Sequence, residues 1–250
     1  MPQPPSRLPP LTWWGTMRWA ALGALLPTRR DLLVVELGCG LGAFGARLAS
    51  TYARYAGVEP DAASAAVARE RVAPWAGLVV PSVADLPAGE AGLLCAFEVL
   101  EHLPDDAGEL RRWCRLAAPG ALVVLSVPAE PRRFGPWDEK VGHLRRYSRE
   151  TVAELFRAAG VEPVRVVHYG YPFGYALEAA RNAVARRHAD EVRGVPVNRR
   201  TESSGRQRQA RSAAMGALRA GVSRPFLAWQ GRHPDRGPGI VALGRVTGDA

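Results

Sequence analysis

The densest chemistry in the chain lies in Val34-Val35-Glu36-Leu37-Gly38-Cys39-Gly40-Leu41-Gly42-Ala43-Phe44-Gly45, an apolar run passing directly into a glycine-rich turn and then into residues fit for a helix. Residues without Cβ let a backbone turn sharply and let a ligand approach the main chain. The unbonded N–H groups at the start of a helix also favour an anion. The turn is therefore expected to hold a nucleotide-like cofactor. Two cofactors fit, because Gly40-x-Gly42-x-x-Gly45 also satisfies the dinucleotide fingerprint, and Glu59 follows at a distance suited to holding a ribose in either case. Glu36 puts a charge at the end of a buried strand, which is costly unless a partner meets it.

Further along, Glu98, Glu101 and His102 follow an apolar run, and His143 and Tyr147 stand in Gly142-His143-Leu144-Arg145-Arg146-Tyr147. His102, Glu101 and His143 are the candidates for a general base, although polar loops also carry histidines without a catalytic role. Trp137, Tyr169, Tyr171, Phe173 and Tyr175 could wall an apolar acceptor pocket or form core beneath a cap. No ligand spacing for a metal is evident, and none is expected.

From residue 32 onward, short apolar runs alternate with amphipathic stretches, as in βαβ units feeding a parallel, doubly wound sheet. Strands are expected at Leu32 to Leu37, Tyr55 to Val58, Leu78 to Val80, Leu93 to Phe97, Ala121 to Val127 and Val164 to Tyr169, with a last one at Gly239 to Val246. Helices are expected at Ala43 to Tyr52, Asp61 to Val72, Asp105 to Ala117 and Arg149 to Ala159, the last capped by Ser148 and stopped at Gly160. Residues 1–30 are assigned to an N-terminal cap segment and 31–170 to the cofactor-binding domain. Residues 171–237 are read as an inserted cap, partly helical and partly mobile, and 238–250 as the final strand and tail.

Several of these segments, in order from Trp13 to Tyr169, resemble the class I, Rossmann-like S-adenosylmethionine-dependent methyltransferases. The acid-x-Gly-x-Gly arrangement of Glu36, Gly38, Cys39 and Gly40 is similar to that family's first motif, where a carboxylate helps hold the ammonium of the methionine moiety. Glu59, with Pro60, resembles the second-strand acid that accepts from both ribose hydroxyls, and Asp85, with Leu86, the segment that meets the adenine amino group. Glu98 would lie near the cofactor. Thr12-Trp13-Trp14-Gly15-Thr16-Met17-Arg18 resembles a Trp-Trp-x-x-x-Arg segment lying over cofactor and acceptor, although Gly15-Thr16-Met17 stand where aromatic and basic residues are more usual. The resemblance implies seven strands, the last antiparallel between the fifth and sixth, with an N-terminal helical segment and a helical insertion between strands six and seven. It also implies Arg18 on the cofactor, and Trp14, Trp137, Tyr147, Tyr171 and Phe173 around the acceptor.

Methyl transfer from S-adenosylmethionine to oxygen or nitrogen of a small molecule, as in natural-product biosynthesis, is the expected activity. A nicotinamide-dependent oxidoreductase is the first rival, but no Tyr-x-x-x-Lys pair exists and Lys140 is the sole lysine. An RNA methyltransferase is the second. The net charge of +9 divides unevenly: residues 1–180 hold 19 basic and 19 acidic groups, and residues 181–250 hold 14 and 5. The arginines from Arg193 to Arg211 read most simply as a solvated face, so nucleic acid is not the expected partner. A Rossmann-like binder without catalysis is the third, against which the intact turn and its acids stand. Cys39, Cys95 and Cys114 lie far apart in apolar surroundings, as reduced thiols of a cytoplasmic protein do. With no apolar run of membrane-spanning length, a soluble monomer or homodimer is expected.

Overall fold

The computed structural model describes residues 8–187 and 225–247. The arginine-rich 193–211 segment, and with it the part of the cap expected to be mobile, lies outside the described residues.

Seven strands form one sheet in the order β3-β2-β1-β4-β5-β7-β6. They are β1 (Leu33–Leu37), β2 (Arg54–Val58), β3 (Leu78–Val80), β4 (Ala91–Phe97), β5 (Ala117–Pro128), β6 (Val161–Tyr169) and β7 (Gly239–Val246). The pairs among β3, β2, β1, β4 and β5 are parallel. β7 slots between β5 and β6 and runs antiparallel to both, pairing Leu125 with Ala242 on one side and Val166 with Ala242 on the other. The seven-stranded Rossmann-like sheet, its last strand returning antiparallel, is thus as expected.

Alternate residues of each strand feed opposite layers, as the two-residue period requires. Val34, Leu93 and Cys95 pack with Met17 and Leu22 of α1 (Trp13–Leu22), Leu48 of α2 (Ala43–Ala49) and Ala68 of α3 (Ala62–Val72). Val35, Leu94 and Val123 pack on the other face with Trp113 of α4 (Asp106–Cys114) and Phe156 of α6 (Arg149–Ala158). Between these last two, α5 (Pro136–Val141) is a single short helix, and α7 (Phe173–Arg187) follows β6. Asp61 caps α3 by accepting from Ser64 N, and Ser148 caps α6 by accepting from Thr151 N.

Several boundaries differ from the sequence reading, most at β5 and β6. β5 begins at Ala117, which pairs with Ala91, so the strand runs through Pro119-Gly120 with an irregularity opposite β4 and α4 ends at Cys114. β6 begins at Val161 because a register shift absorbs Pro163 on this edge strand, where a missing N–H is tolerated. Among the described residues, no helix is long and apolar enough to cross a membrane.

Candidate functional site

The carboxyl ends of β1, β4 and β5 open onto a cavity of ≈ 290 Å³ covered by α1 and α7. Ligands in doubly wound folds bind at this edge, beside the point where strand order reverses, here between β1 and β4.

At one end lies the glycine turn. Gly38, Gly40 and Gly42 all take left-handed backbone (φ +66°, +55° and +72°). A Cβ on Gly38 would fall 2.7 Å from Val99 Cγ2, whereas one on Gly40 would meet nothing within 4 Å. That is the open backbone approach a ligand needs. Glu59 clips the turn to β2 by accepting from the N–H groups of Gly40 (2.8 Å) and Asp61 (2.9 Å), and burial raises its carboxyl. Glu36 is buried at the cavity wall, where Tyr55 donates its hydroxyl hydrogen to Oε2 at 2.5 Å. Burial pushes the Glu36 carboxyl up to about 8, against the Tyr55 hydrogen bond. No cationic side chain pairs with it among the described residues.

Across the cavity, Arg18 reaches in from α1, its Nη2 3.1 Å from Glu98 Oε2 and its Nε donating to the Tyr169 hydroxyl at 3.1 Å. Burial opposes the Arg18 charge, but Glu98 and Tyr169 more than restore it. Glu98 itself has φ +60°, a strained conformation for a residue with a Cβ. Its N–H bonds to Ser126 O and its Oε1 accepts from Ser126 Oγ, which together hold it there.

The residues present fit S-adenosylmethionine. A buried carboxylate without a cationic partner and a guanidinium line one cavity, matching the ammonium and carboxylate of the methionine moiety.

The rest of the cavity is built from the loops after β4 and β5. Glu101 is wholly buried, and neither of its oxygens finds a hydrogen-bond partner. His143 Nε2 lies 3.7 Å from Glu101 Oε1, and its Nδ1 bonds to Asp138 Oδ1 at 2.8 Å. The His102 ring stands edge-on to that of His143 with centroids 4.8 Å apart, and its Nδ1 donates to the Gly142 carbonyl at 3.0 Å. Burial, then the charge of Glu98, raises the Glu101 carboxyl well above the usual range. Burial also works against the Asp138 charge, but hydrogen bonds from His143 and Arg146 hold it below the usual range. Arg146 in turn meets Glu178 of α7 at 3.3 Å. Overhead, Arg181 of α7 stacks on Trp14 (4.8 Å) and Trp137 (5.3 Å), closing an aromatic wall.

The candidates named from sequence therefore separate. Glu36, Gly38, Cys39, Gly40, Arg18 and Glu98 share the cavity wall, as do Trp14, Trp137, His102 and His143. Glu101 sits directly behind that wall, in contact with His143. Glu59, Pro60, Asp85 and Leu86 lie at the ends of β2 and β3, beyond it, where Asp85 accepts from Ser82 N. Three expected acceptor contacts are elsewhere. Tyr147 is buried and donates to Asp106 Oδ2, Tyr171 packs on Tyr175 and His233, and Phe173 meets Trp13 edge-on and stacks on Phe226. Their rings serve the packing of the loops and cap because each finds its partner before reaching the cavity. Asp138, Arg146, Glu178 and Arg181 were missed. Only the proximity of Asp138 and Arg146 to His143 in sequence pointed to them; Glu178 and Arg181 arrive on a helix whose placement no motif marks.

Residues 16–166 match the family model of a methyltransferase domain. The chain is 31% identical over 136 residues to the trans-aconitate 2-methyltransferase of Methylobacterium radiotolerans, a match spanning 49% of this chain and 52% of that one. It is 30% identical over 99 residues to the ubiquinone biosynthesis O-methyltransferase of Pseudomonas aeruginosa, covering 37% of this chain and 43% of the other. The chain spans about half the length of the curated relatives it matches. Its fold is similar to that of an S-adenosylmethionine-dependent methyltransferase from Mesorhizobium loti (TM-score 0.61, 17% identity, 94% of this chain and 100% of that one). The chain belongs to the methyltransferase-domain family and has the Rossmann-like fold of the class I methyltransferases.

Proposed function

We propose that the enzyme methylates oxygen or nitrogen of a small-molecule acceptor seated in the cavity between Trp14, Trp137 and the Glu101–His102–His143 cluster. The observation that carries this reading is that cluster: two imidazoles on the wall of the cavity that the glycine turn also lines, with a buried carboxylate directly behind them. S-adenosylmethionine supplies an electrophilic methyl group on a sulfonium whose departure leaves a neutral thioether, so alignment and exclusion of water are the main demands on the protein.

The residues divide those tasks. Glu36 holds the ammonium and Arg18 the carboxylate of the methionine moiety. Glu59 fixes the turn and accepts from the ribose, while Asp85 with Leu86 faces the adenine. A hydroxyl or protonated amine must lose its proton to become a nucleophile, and the cluster draws it off. Asp138 fixes the His143 tautomer by taking the Nδ1 hydrogen, which turns the Nε2 lone pair toward Glu101. Within the segments read as caps, α1 and α7 cover the 31–170 domain, and β7 returns to its sheet. Two relatives, a trans-aconitate 2-methyltransferase and a ubiquinone biosynthesis O-methyltransferase, carry names that point to small-molecule chemistry, which supports this class over nucleic acid.

Incubation with methyl-labelled S-adenosylmethionine and a panel of small hydroxylated, carboxylated and amino compounds tests the reading. Labelled product is expected, with His143→Gln lowering kcat by about 10²-fold or more while S-adenosylmethionine binding is retained. Unchanged kcat in that variant would remove the cluster from the chemistry.

A further inference from the structure

Within that acceptor reading, on which this inference rests, the cluster has a feature that proton transfer alone does not account for: a buried carboxylate that no donor meets stands within ligand distance of two imidazoles. His143 gives its Nδ1 hydrogen to the ionised Asp138, so its lone pair is on Nε2, which faces Glu101 Oε1 at 3.7 Å. His102 gives its Nδ1 hydrogen to the Gly142 carbonyl, which can only accept, and this likewise fixes the lone pair on Nε2. Both Glu101 oxygens are buried without a hydrogen-bond donor, and an unsatisfied buried carboxylate is costly. One potential ligand atom from each of these three side chains lies within 4.8 Å of the others.

We propose that Glu101, His102 and His143 form a site for a first-row divalent cation, open toward the acceptor cavity. A cation accounts for the unsatisfied carboxylate and for the convergence together, because it can bind a carboxylate and two imidazole nitrogens from a single point. Two histidines and a carboxylate suit Zn²⁺, Mn²⁺ or Fe²⁺ rather than Mg²⁺ or Ca²⁺, which favour oxygen ligands. Bonds of roughly 2.1 Å put ligands about 3.4 Å apart in a tetrahedron, close to the 3.7 Å between His143 Nε2 and Glu101 Oε1. The Nδ1 partners are the arrangement that metal-binding histidines need, since the carboxylate and the carbonyl orient each ring and raise its basicity. Asp138 and Gly142 are thus positioning groups for the ligands. Because His102 and His143 line the cavity while Glu101 lies behind them, the remaining coordination positions face the acceptor. A divalent cation there lowers the pKa of a hydroxyl that approaches it, so the acceptor gives up its proton to water near neutral pH.

The sequence showed no such site because the loop after α5 carries His143 to the Glu101-His102 pair from a distant part of the chain.

The test is metal content. The full chain, stripped with a chelator and dialysed against Zn²⁺ or Mn²⁺, should retain one ion per chain by mass spectrometry. His143→Gln and His102→Gln should lose it, and Asp138→Asn should weaken it about 10- to 100-fold. Glu101→Gln, which keeps the shape of the buried side chain, should also lose the ion. S-adenosylmethionine binding by calorimetry confirms that each variant is folded. Absence of a stoichiometric ion in the unaltered chain, or its retention in these variants, overturns the metal site and leaves the cluster to act as proton acceptor alone. Failure of the unaltered chain to bind S-adenosylmethionine would instead overturn the cofactor assignments of the proposed function, whatever its metal content.

Discussion

Glu36 illustrates how a single residue links the fold to ligand binding. Its carboxyl is buried against Tyr55 and titrates at about 8, so it is largely neutral at pH 6 and largely charged at pH 9. An ammonium group seated beside it requires the charged form. Binding of S-adenosylmethionine should therefore release a proton below pH 8, and affinity should rise up to about tenfold per pH unit on approaching that value. Calorimetry in two buffers of different ionisation enthalpy measures the release, and Glu36→Gln should abolish it. The sign for stability is opposite. The folded pKa lies above the unfolded one, so this contribution is fully present below about pH 4.5 and is lost as pH rises toward 8. Thermal unfolding of the unliganded protein should show this decline, and Glu36→Gln should flatten it.

At the scale of elements, what was legible followed from periodicity and turn chemistry. The apolar run into Gly38, Gly40 and Gly42 located β1 and α2, and Ser148 and Asp61 located two helix starts because their side chains satisfy otherwise unbonded N–H groups. The antiparallel return of β7 was legible from the family resemblance and from its apolar run. What was not legible is α5, since six residues carry too little periodicity, and the ion network that joins it to α7. Asp138, Arg146 and Glu178 come from three separate elements, and their pairing exists only once those elements are packed. Arg146 is buried, with its side chain 4% exposed. Arg146→Met should therefore leave the buried Asp138 without its cation and Glu178 with Arg133 alone, and cost about 3–5 kcal/mol, read as a lowered urea midpoint. An effect below about 1 kcal/mol, the range of exposed pairs, would mean that the network contributes little to docking α7 over the cavity.

Across the whole molecule, one sheet carries the glycine-turn end of the cavity on β1 and β4, while the loops after β4 and β5 carry the end with the His102–His143 pair. The sequence reading named Glu36, Gly38, Cys39, Gly40, Arg18 and Glu98 on the wall of the first end, the glycines because close backbone approach demands them, a requirement visible in one dimension, while Glu59, Pro60, Asp85 and Leu86 lie beyond it. It reached only part of the second, where aromatic residues such as Phe173 and Tyr171 proved to pack among themselves and Arg181 closes the wall instead. Ligand binding to the native state alone should raise the unfolding temperature, with about 2.7 kcal/mol of stabilisation at a hundredfold excess over Kd. The central assignment is the cofactor end, and calorimetric titration with S-adenosylmethionine and with NAD, on the unaltered chain and on Glu59→Ala, addresses it most directly. Saturable binding of S-adenosylmethionine, weakened at least about tenfold by Glu59→Ala, which corresponds to 1.4 kcal/mol, with none of NAD, is the expected result. Binding of NAD alone, or S-adenosylmethionine affinity indifferent to Glu59, would contradict it.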